Sequence, residues 1–445
     1  MHTNPIPSTP TPGSAPLLTD QQALRRATVA SFIGNFVEWF DYAAYGYLAA
    51  VIAVVFFPET DKTTGLLAAF AVFAVSFVIR PIGGIVWGHW GDKFGRRSAL
   101  SLSILIMSGA TFLIAFLPSY EQVGVLSPLL LLLVRLVQGF SASGEYAGAS
   151  AFLAEYAPKN QRGFYTSMVP ASTAAGLLLG SLMVTLLHAT LTPEQMHQWG
   201  WRLPFLLAAP FGLIGRYIRL HLQDTPKFRE MEGRLAEKEK DTALPIRQLL
   251  TTYRKKVLIA CGVVCLNAVA FYMMLSYMPT YLSVELNVSE TLSFISSSIA
   301  LAAYIGFVFF MGYLSDHHGR KTMLVSASVL FIVLAVPLFQ ILGHGHFWAI
   351  VLVQIVFGAL LAMNDGTLPS FLAEIFPTPV RYSGFALSFN TGNALMGGTA
   401  PLVSTWLISL TGNKLAPAWY LMAIALLALV AMLLSHETFR EELPD

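Results

Sequence analysis

Long apolar runs broken by short polar turns recur along the whole chain. Twelve can be marked, at about 28–55, 65–89, 99–117, 127–154, 164–187, 203–222, 256–282, 291–314, 322–342, 347–373, 383–408 and 416–435. Crossing a hydrocarbon core of about 30 Å takes roughly 20 apolar residues at about 1.5 Å per residue. The stretches Leu100 to Leu117 and Ala416 to Leu434 come close to that length. In lipid a segment must satisfy its own backbone hydrogen bonds, so the pattern predicts helices. A closed β-barrel would instead alternate apolar and polar residues over ten-residue segments. The expected fold is therefore all-α and integral to the membrane, with twelve transmembrane helices.

Composition agrees. Of 445 residues, 55% are hydrophobic and 12% charged, and the mean hydropathy is +0.62. A soluble domain carries about 25% charged residues to cover its surface. The net charge of +2 says little, but its placement says more. Of the 27 Lys and Arg residues, 22 fall in the even-numbered loops, the tails, and the long central segment with its flanking helix ends. The odd-numbered loops hold Lys62, Arg202 and Lys414, and Arg80 and Arg135 lie within spans. The positive-inside rule then puts both termini in the cytoplasm, in a multi-pass protein of the inner membrane. Residues 1–23, rich in Pro, Ser and Thr, read as a disordered cytoplasmic tail and not as a cleaved signal peptide. Residues 223–255 form the one long polar stretch inside the chain and read as a cytoplasmic linker, partly helical along the membrane surface. The linker separates one six-helix half, 24–222, from another, 256–436, and 437–445 make a short tail. Cys261 and Cys265, four apart in an apolar run, suit packing on one helical face. No soft ligands accompany them, so no metal site is expected.

The two halves share a sentence. Gly88-His-Trp-Gly-Asp92-Lys-Phe-Gly95-Arg96-Arg97 follows the second run, and Gly312-Tyr-Leu-Ser-Asp316-His-His-Gly319-Arg320-Lys321 follows the eighth. Glu155 with Pro158 and Arg162 matches Glu374 with Pro377 and Arg381 at the same offsets. Gly88 and Gly312 let a helix end approach a neighbour closely. Asp92 and Asp316 lie just past a helix C-terminus, where a negative charge is unfavourable. They are better placed facing another helix N-terminus or a basic partner. Gly95 and Gly319 permit the tight turn. Arg96, Arg97, Arg320 and Lys321 would then be held at the cytoplasmic surface, and the cluster could latch the halves together there. The plain alternative is that these basic residues serve only as topology signals.

The duplicated turn and six-plus-six layout resemble the major facilitator superfamily. Further residues resemble its metabolite:proton symporter family, which includes proline/betaine, α-ketoglutarate, shikimate and citrate permeases. These are Gly34-Asn-Phe-Val-Glu38-Trp39-Phe40-Asp41, Arg80-Pro-Ile-Gly-Gly84, Gln138-Gly-Phe-Ser141 with Gly144-Glu145-Tyr146, Trp199-Gly-Trp-Arg-Leu-Pro-Phe205, and Phe376-Pro377 with Arg381-Tyr382. The resemblance covers about Leu24 to Glu437. It implies the major facilitator fold and proton-coupled symport by alternating access.

Ionisable residues at membrane depth are costly and mark function by default. Glu38, Asp41 and Tyr45 share one face of the first span, with Trp39 and Phe40 turned to lipid or packing. The second span holds Arg80, and the fourth holds Arg135, Gln138 and Glu145. A carboxylate buried in an apolar setting holds a proton more readily near neutral pH. Asp41, Glu38 and Glu145 are therefore the candidate proton carriers, in no fixed order. Arg80 and Arg135 suit either counter-ions or ligands for a substrate carboxylate, and a static interhelical ion pair is the alternative for each. In the second half Asn267, Tyr272, Tyr277, Asn364, Asp365, Asn390 and Asn393 could meet a polar solute near the midplane, or bond helix to helix. Asp365 would repel an anion, which favours a zwitterion or cation as cargo.

The leading expectation is a proton symporter of a proline/betaine-type compatible solute. The alternatives are a di- or tricarboxylate symporter, on the similarity of Leu410–Met422 to citrate-type permeases, and a drug or organic-anion efflux pump. No G-x-x-x-x-G-K-[ST] loop is present to bind ATP phosphates, and no metal or nucleophile constellation suggests an enzyme. The expected partners are the lipid bilayer and a small-molecule substrate, with the proton as coupling ion, no other cofactor, no nucleic acid, and a single copy as the working unit.

Overall fold

The computed structural model describes residues 20–57, 62–220 and 245–444. Within them run twelve spans. In the first half they are Gln21–Tyr47 with Ala49–Phe56 (span 1), Ala71–Phe94 (2), Arg96–Ile114 (3), Leu126–Tyr156 (4), Lys159–Thr190 (5) and Pro193–Leu220 (6). In the second they are Arg254–Glu285 (7), Thr291–His318 (8), Arg320–Leu342 (9), Phe347–Ile375 (10), Thr378–Thr411 (11) and Ala416–Leu433 (12). The first helix begins at Asp20, so the expected tail ends earlier than residue 23, and residues 1–19 lie outside the described residues. Most of the expected linker, 221–244, also lies outside them. Its end, Pro245–Thr251, is a short helix, and span 7 starts at Arg254 rather than 256.

Many large apolar side chains remain exposed on the spans, among them Leu113, Leu133, Leu186, Val333 and Leu426. They are the surface lipid would cover. Several spans are not continuous helices. Span 1 bends by 66° at Leu48. Span 4 is broken between Ala142 and Glu145, and span 10 between Asp365 and Leu368. Spans 7 and 11 carry π-helical stretches, Tyr272–Tyr277 and Asn393–Gly397. Such stretches gather at functional sites because they free backbone groups and re-aim side chains.

The halves meet along two seams. On one, Gly88 of span 2 faces span 11 so closely that an added Cβ would sit 2.6 Å from Ser383 Cα. On the other, Gly312 of span 8 faces span 5, where an added Cβ would be 2.6 Å from Ser167 Cβ. Both motif glycines therefore serve the approach expected of them, and the neighbour is the opposite half. Gly95 and Gly319 turn the chain with φ of 99° and 98°, the left-handed region that favours glycine.

Candidate transport site and gate

The repeated turns lie at the basic end of the bundle and close it. Asp92 accepts hydrogen bonds from Tyr382 N (3.3 Å), Ser383 N (2.9 Å) and Ser383 Oγ (2.6 Å), at the first turn of the helix beginning at Arg381. Asp316 accepts from Gly163 N and Phe164 N, both at 2.8 Å, at the first turn of the helix beginning at Arg162. Each aspartate thus caps a helix of the opposite half, where free N–H groups and the helix dipole favour a negative charge.

The basic residues of the motif are not all held at the surface. Arg96 and Arg320 are buried. Arg96 bonds Asp92, Glu155 and the Thr378 carbonyl, and Arg381 reaches the same Glu155 at 2.8 Å. Arg320 bonds Asp316 (2.9 Å) and Glu374 (3.1 Å), and Arg162 stands 3.8 Å from Glu374. The expectation fails for these two arginines because each finds two carboxylates and gives up water for them. Arg97, which donates to the Leu220 carbonyl, and Lys321, which donates to the Ser435 carbonyl, stay nearer the surface.

The tail after span 12 laces across the same end. Glu437 caps span 9 by accepting from Arg320 N and Lys321 N. Thr438 Oγ1 donates to Glu374, and the Glu441 carbonyl accepts from Arg162. Glu442 pairs with Lys159, and the Pro444 carbonyl accepts from Thr378 and Arg381. Both halves are therefore tied to it.

Deeper in the bundle, Glu38 and Arg80 form a buried ion pair at 3.1 Å. It is walled by rings from both halves. Arg80 lies over Tyr42 (4.7 Å) and Phe77 (4.5 Å). Phe77 packs edge-on to Tyr272 of span 7 at 5.4 Å, and Trp39 meets Phe271 at 5.0 Å and Tyr272 at 6.2 Å. Glu38 Oε2, Trp39 Nε1, Tyr42 OH, Arg80 Nε and Tyr272 OH are all buried without a hydrogen-bond partner among the described residues. Buried polar groups are ordinarily satisfied, so five orphans around one ion pair mark a place shaped for a ligand. Neither oxygen of Asp41 has a close hydrogen-bond partner either, though Thr111 stands beside it. Arg135 stacks on Tyr45 (4.2 Å) and bonds Gln138 and Ser76, so it stands off Asp41 rather than pairing with it.

Two family models match the chain in succession. That described as "Sugar (and other) transporter" matches residues 26–243, and that described as "Major Facilitator Superfamily" matches residues 260–444. A glycine betaine/proline/ectoine/pipecolic acid transporter of Dickeya dadantii is 41% identical over 96% of this chain and 86% of its own length. A proline/betaine transporter of Escherichia coli K12 is 38% identical over 95% and 85%. The chain belongs to the major facilitator superfamily. Its fold matches that of a proton:xylose symporter with a TM-score of 0.79 at 17% identity, covering 96% of this chain and 98% of that one. Against an inward-open conformation of the xylose transporter from E. coli the score is 0.67. This multi-pass membrane transporter is closed at its basic end by the bonds of Asp92 and Asp316.

Other expected site residues of this facilitator find different partners. Glu145 does not stand free as a proton carrier. Arg219 of span 6 grips both its oxygens and also bonds the Leu100 carbonyl. The pair fits because Gly34 leaves room for the guanidinium on span 1. Arg219 lies in the last turn of span 6, next to the polar central segment, yet is buried. Tyr45 donates to the Ala69 carbonyl, and Gln138 donates to Thr111 (2.8 Å), so both serve packing. Asn390 donates to the Ser143 carbonyl at the break in span 4, and Asn393 to its own helix. Tyr277 bonds Thr405. Trp39 does not face lipid but joins the wall between the halves. Nothing in the sequence marks Phe77, Phe271 or the bonds that the tail makes. An aromatic residue in an apolar run carries no sign of which face it will take. Asn35, quoted only as part of a motif, ties span 1 to span 5 through Val169, Ser172 and Thr173.

Proposed function

We propose that the chain is a proton-coupled importer of a zwitterionic compatible solute of the proline/betaine kind, working by alternating access in the inner membrane with both termini in the cytoplasm. It acts as a single copy and needs no cofactor beyond the proton and no nucleic acid. The names of the relatives support the solute class, and the placement of Lys and Arg supports the orientation. The observation that carries the reading is the Glu38–Arg80 pair among unpartnered polar atoms and aromatic rings of both halves.

Arg80 can serve Glu38 or a solute carboxylate, and bidentate capture of the latter requires Glu38 to let go. Protonation of Glu38 removes the attraction, so proton and carboxylate bind together. The ammonium end of the solute then lies against the faces of Trp39, Tyr42, Phe77, Phe271 and Tyr272, where cation–π attraction holds a desolvated cation. Asp41, one helical turn away, is a second proton acceptor. With a zwitterion aboard, the loaded site carries one more positive charge than the empty one. The membrane potential then drives the loaded step inward with about 2.3 kcal/mol per 100 mV. Tenfold accumulation costs about 1.4 kcal/mol, so one proton sustains more than that. A polyanion would need more cations than Arg80 and would face Glu38 and Asp41, which disfavours the tricarboxylate reading.

The test is uptake of labelled proline, betaine and citrate into proteoliposomes under an imposed pH gradient and potential. Proline or betaine should accumulate, with inward positive current. If none accumulates, import of these solutes is wrong.

A further inference from the structure

Asp365 sits at the end of the first helix of span 10, where the span breaks. It is 2% exposed. Its two oxygens each accept a phenolic hydrogen bond, one from Tyr304 of span 8 in its own half and one, at 3.1 Å, from Tyr146 of span 4 in the other. Asn267 of span 7 lies alongside. Among the described residues these are the polar groups that face it, and no Lys, Arg or His pairs with it. Asp365 thus differs from Glu38, Glu145, Glu155 and Glu374, each of which has an arginine.

The position of this bond is informative. Tyr146 and Asp365 are 219 residues apart, and so are Glu155 and Glu374 (374 − 155) and Arg162 and Arg381 (381 − 162). Tyr146 and Asp365 are therefore equivalent positions of the two halves that touch each other. A contact between equivalent positions lies on the pseudo-two-fold axis, on the seam that must part when the halves rock against each other. Tyr146 is fixed there by stacking on Phe389 of the opposite half, with centroids 4.2 Å apart and planes 4° apart.

We infer that Asp365 is a proton-binding site on this axis, and that its charge holds the halves together in the cytoplasm-closed state through Tyr146. An ionised carboxylate accepts both phenols. A neutral acid has an O–H of its own to place and offers bonds roughly half as strong. Protonation forms one O–H bond, taken from the proton that the coupled cycle already supplies, and its loss to the cytoplasmic side restores the bond to Tyr146. The loss of charge assistance lowers the closed-to-open ratio roughly fivefold to tenfold. The inference rests on the alternating-access reading but not on the identity of the solute.

The test therefore uses no solute. Spin labels on Asn160→Cys and His318→Cys, with Cys261 and Cys265 changed to Ser, sit on exposed helix ends of opposite halves at the closed end. The distance between them widens on inward opening. At about pH 9, Tyr146→Phe and Asp365→Asn should each move several-fold more of the protein into the wide distribution, and the double variant no more than either alone. At about pH 5 neither should differ from the parent by more than about twofold, because the parent has lost the same bond. Asp365→Glu should restore the pH dependence. A Tyr146→Phe shift of equal size at both pH values, or none at either, overturns the proposal, and that variant decides the matter if Asp365→Asn does not fold. A pH-dependent shift in a protein that accumulates no solute would leave this inference standing and remove the import reading.

Discussion

Replacing Asp316 by Asn should open the basic end of the bundle. Asp316 Oδ1 takes Gly163 N at 2.8 Å and Arg320 Nη1 at 2.9 Å, and Oδ2 takes Phe164 N at 2.8 Å. Asparagine keeps one acceptor oxygen. Its amide nitrogen meets the Phe164 N–H, which donates and cannot accept. The closed state loses one charge-assisted bond, strands a buried donor, and loses the negative charge at a helix N-terminus. Together these cost about 2–4 kcal/mol. In the open state water reaches both groups and the substitution is nearly neutral. At about 1.4 kcal/mol per tenfold, the closed-to-open ratio should fall about 30-fold to 700-fold. A Ser150→Cys reporter reads this directly. Ser150 is buried, its hydroxyl has no partner, and it lies one helical turn from Tyr146 on span 4. In inside-out vesicles of a variant lacking Cys261 and Cys265, a membrane-impermeant maleimide reacts in proportion to the open fraction when opening and closing are fast. Asp92→Asn should act alike, since Asp92 caps span 11 through its own partners, and the two effects should add. Parental alkylation rates in both variants would refute the latch and reduce the motif to a topology signal.

Glu38→Gln should abolish accumulation driven by a pH gradient yet keep solute exchange, which counterflow in proteoliposomes measures. Glu145→Ala strands Arg219 in the bundle and should cost about 3–5 kcal/mol of stability, seen as a lower Tm in detergent. Replacing both partners with Leu and Met should recover much of that loss. Phe271→Leu should raise KM for betaine about twofold to thirtyfold, from the loss of one cation–π face, without changing Ser150→Cys alkylation. Glu437→Ala uncaps the first turn of span 9 and should raise that alkylation about fivefold, because the tail then grips the closed end less firmly.

Periodicity and charge placement made the spans and the two halves legible, because lipid imposes its demands locally, residue by residue. The latch was legible for a different reason. Asp92 and Asp316 lie in the last turn of their own helices rather than just past them, where a negative charge is equally unfavourable, and the chain writes the solution twice. What could not be read was pairing across the bundle. Glu145 looked free because Arg219 is 74 residues away and its path is cleared only by the missing side chain of Gly34. Arg96 and Arg320 looked like surface charges until Glu155 and Glu374 came beside them. Trp39 and Phe271 carried no polar signal, although they close the wall around Glu38 and Arg80. Asp365 stood out only as an oddity of composition, and its meaning came from Tyr146 opposite.

The two kinds of residue divide the work of the cycle. The latches obey the repeat, so closure draws on equivalent bonds in each half, and neither half is the gate by itself. Those bonds are many, yet the closed state cannot be favoured by their sum. A carrier whose states differ by more than a few kcal/mol spends its time in one of them and turns over slowly. The groups that bond in the latch are charged or backbone amides, which water serves almost as well once the seam opens, so the net preference stays small. A small preference is one that a single proton can reverse. The residues proposed to accept that proton, Glu38, Asp41 and Asp365, are those the repeat does not copy. Strengthening a latch, for example by a disulfide across the Gly88–Ser383 seam, should therefore stop transport as surely as removing one, while leaving binding of the solute from outside intact.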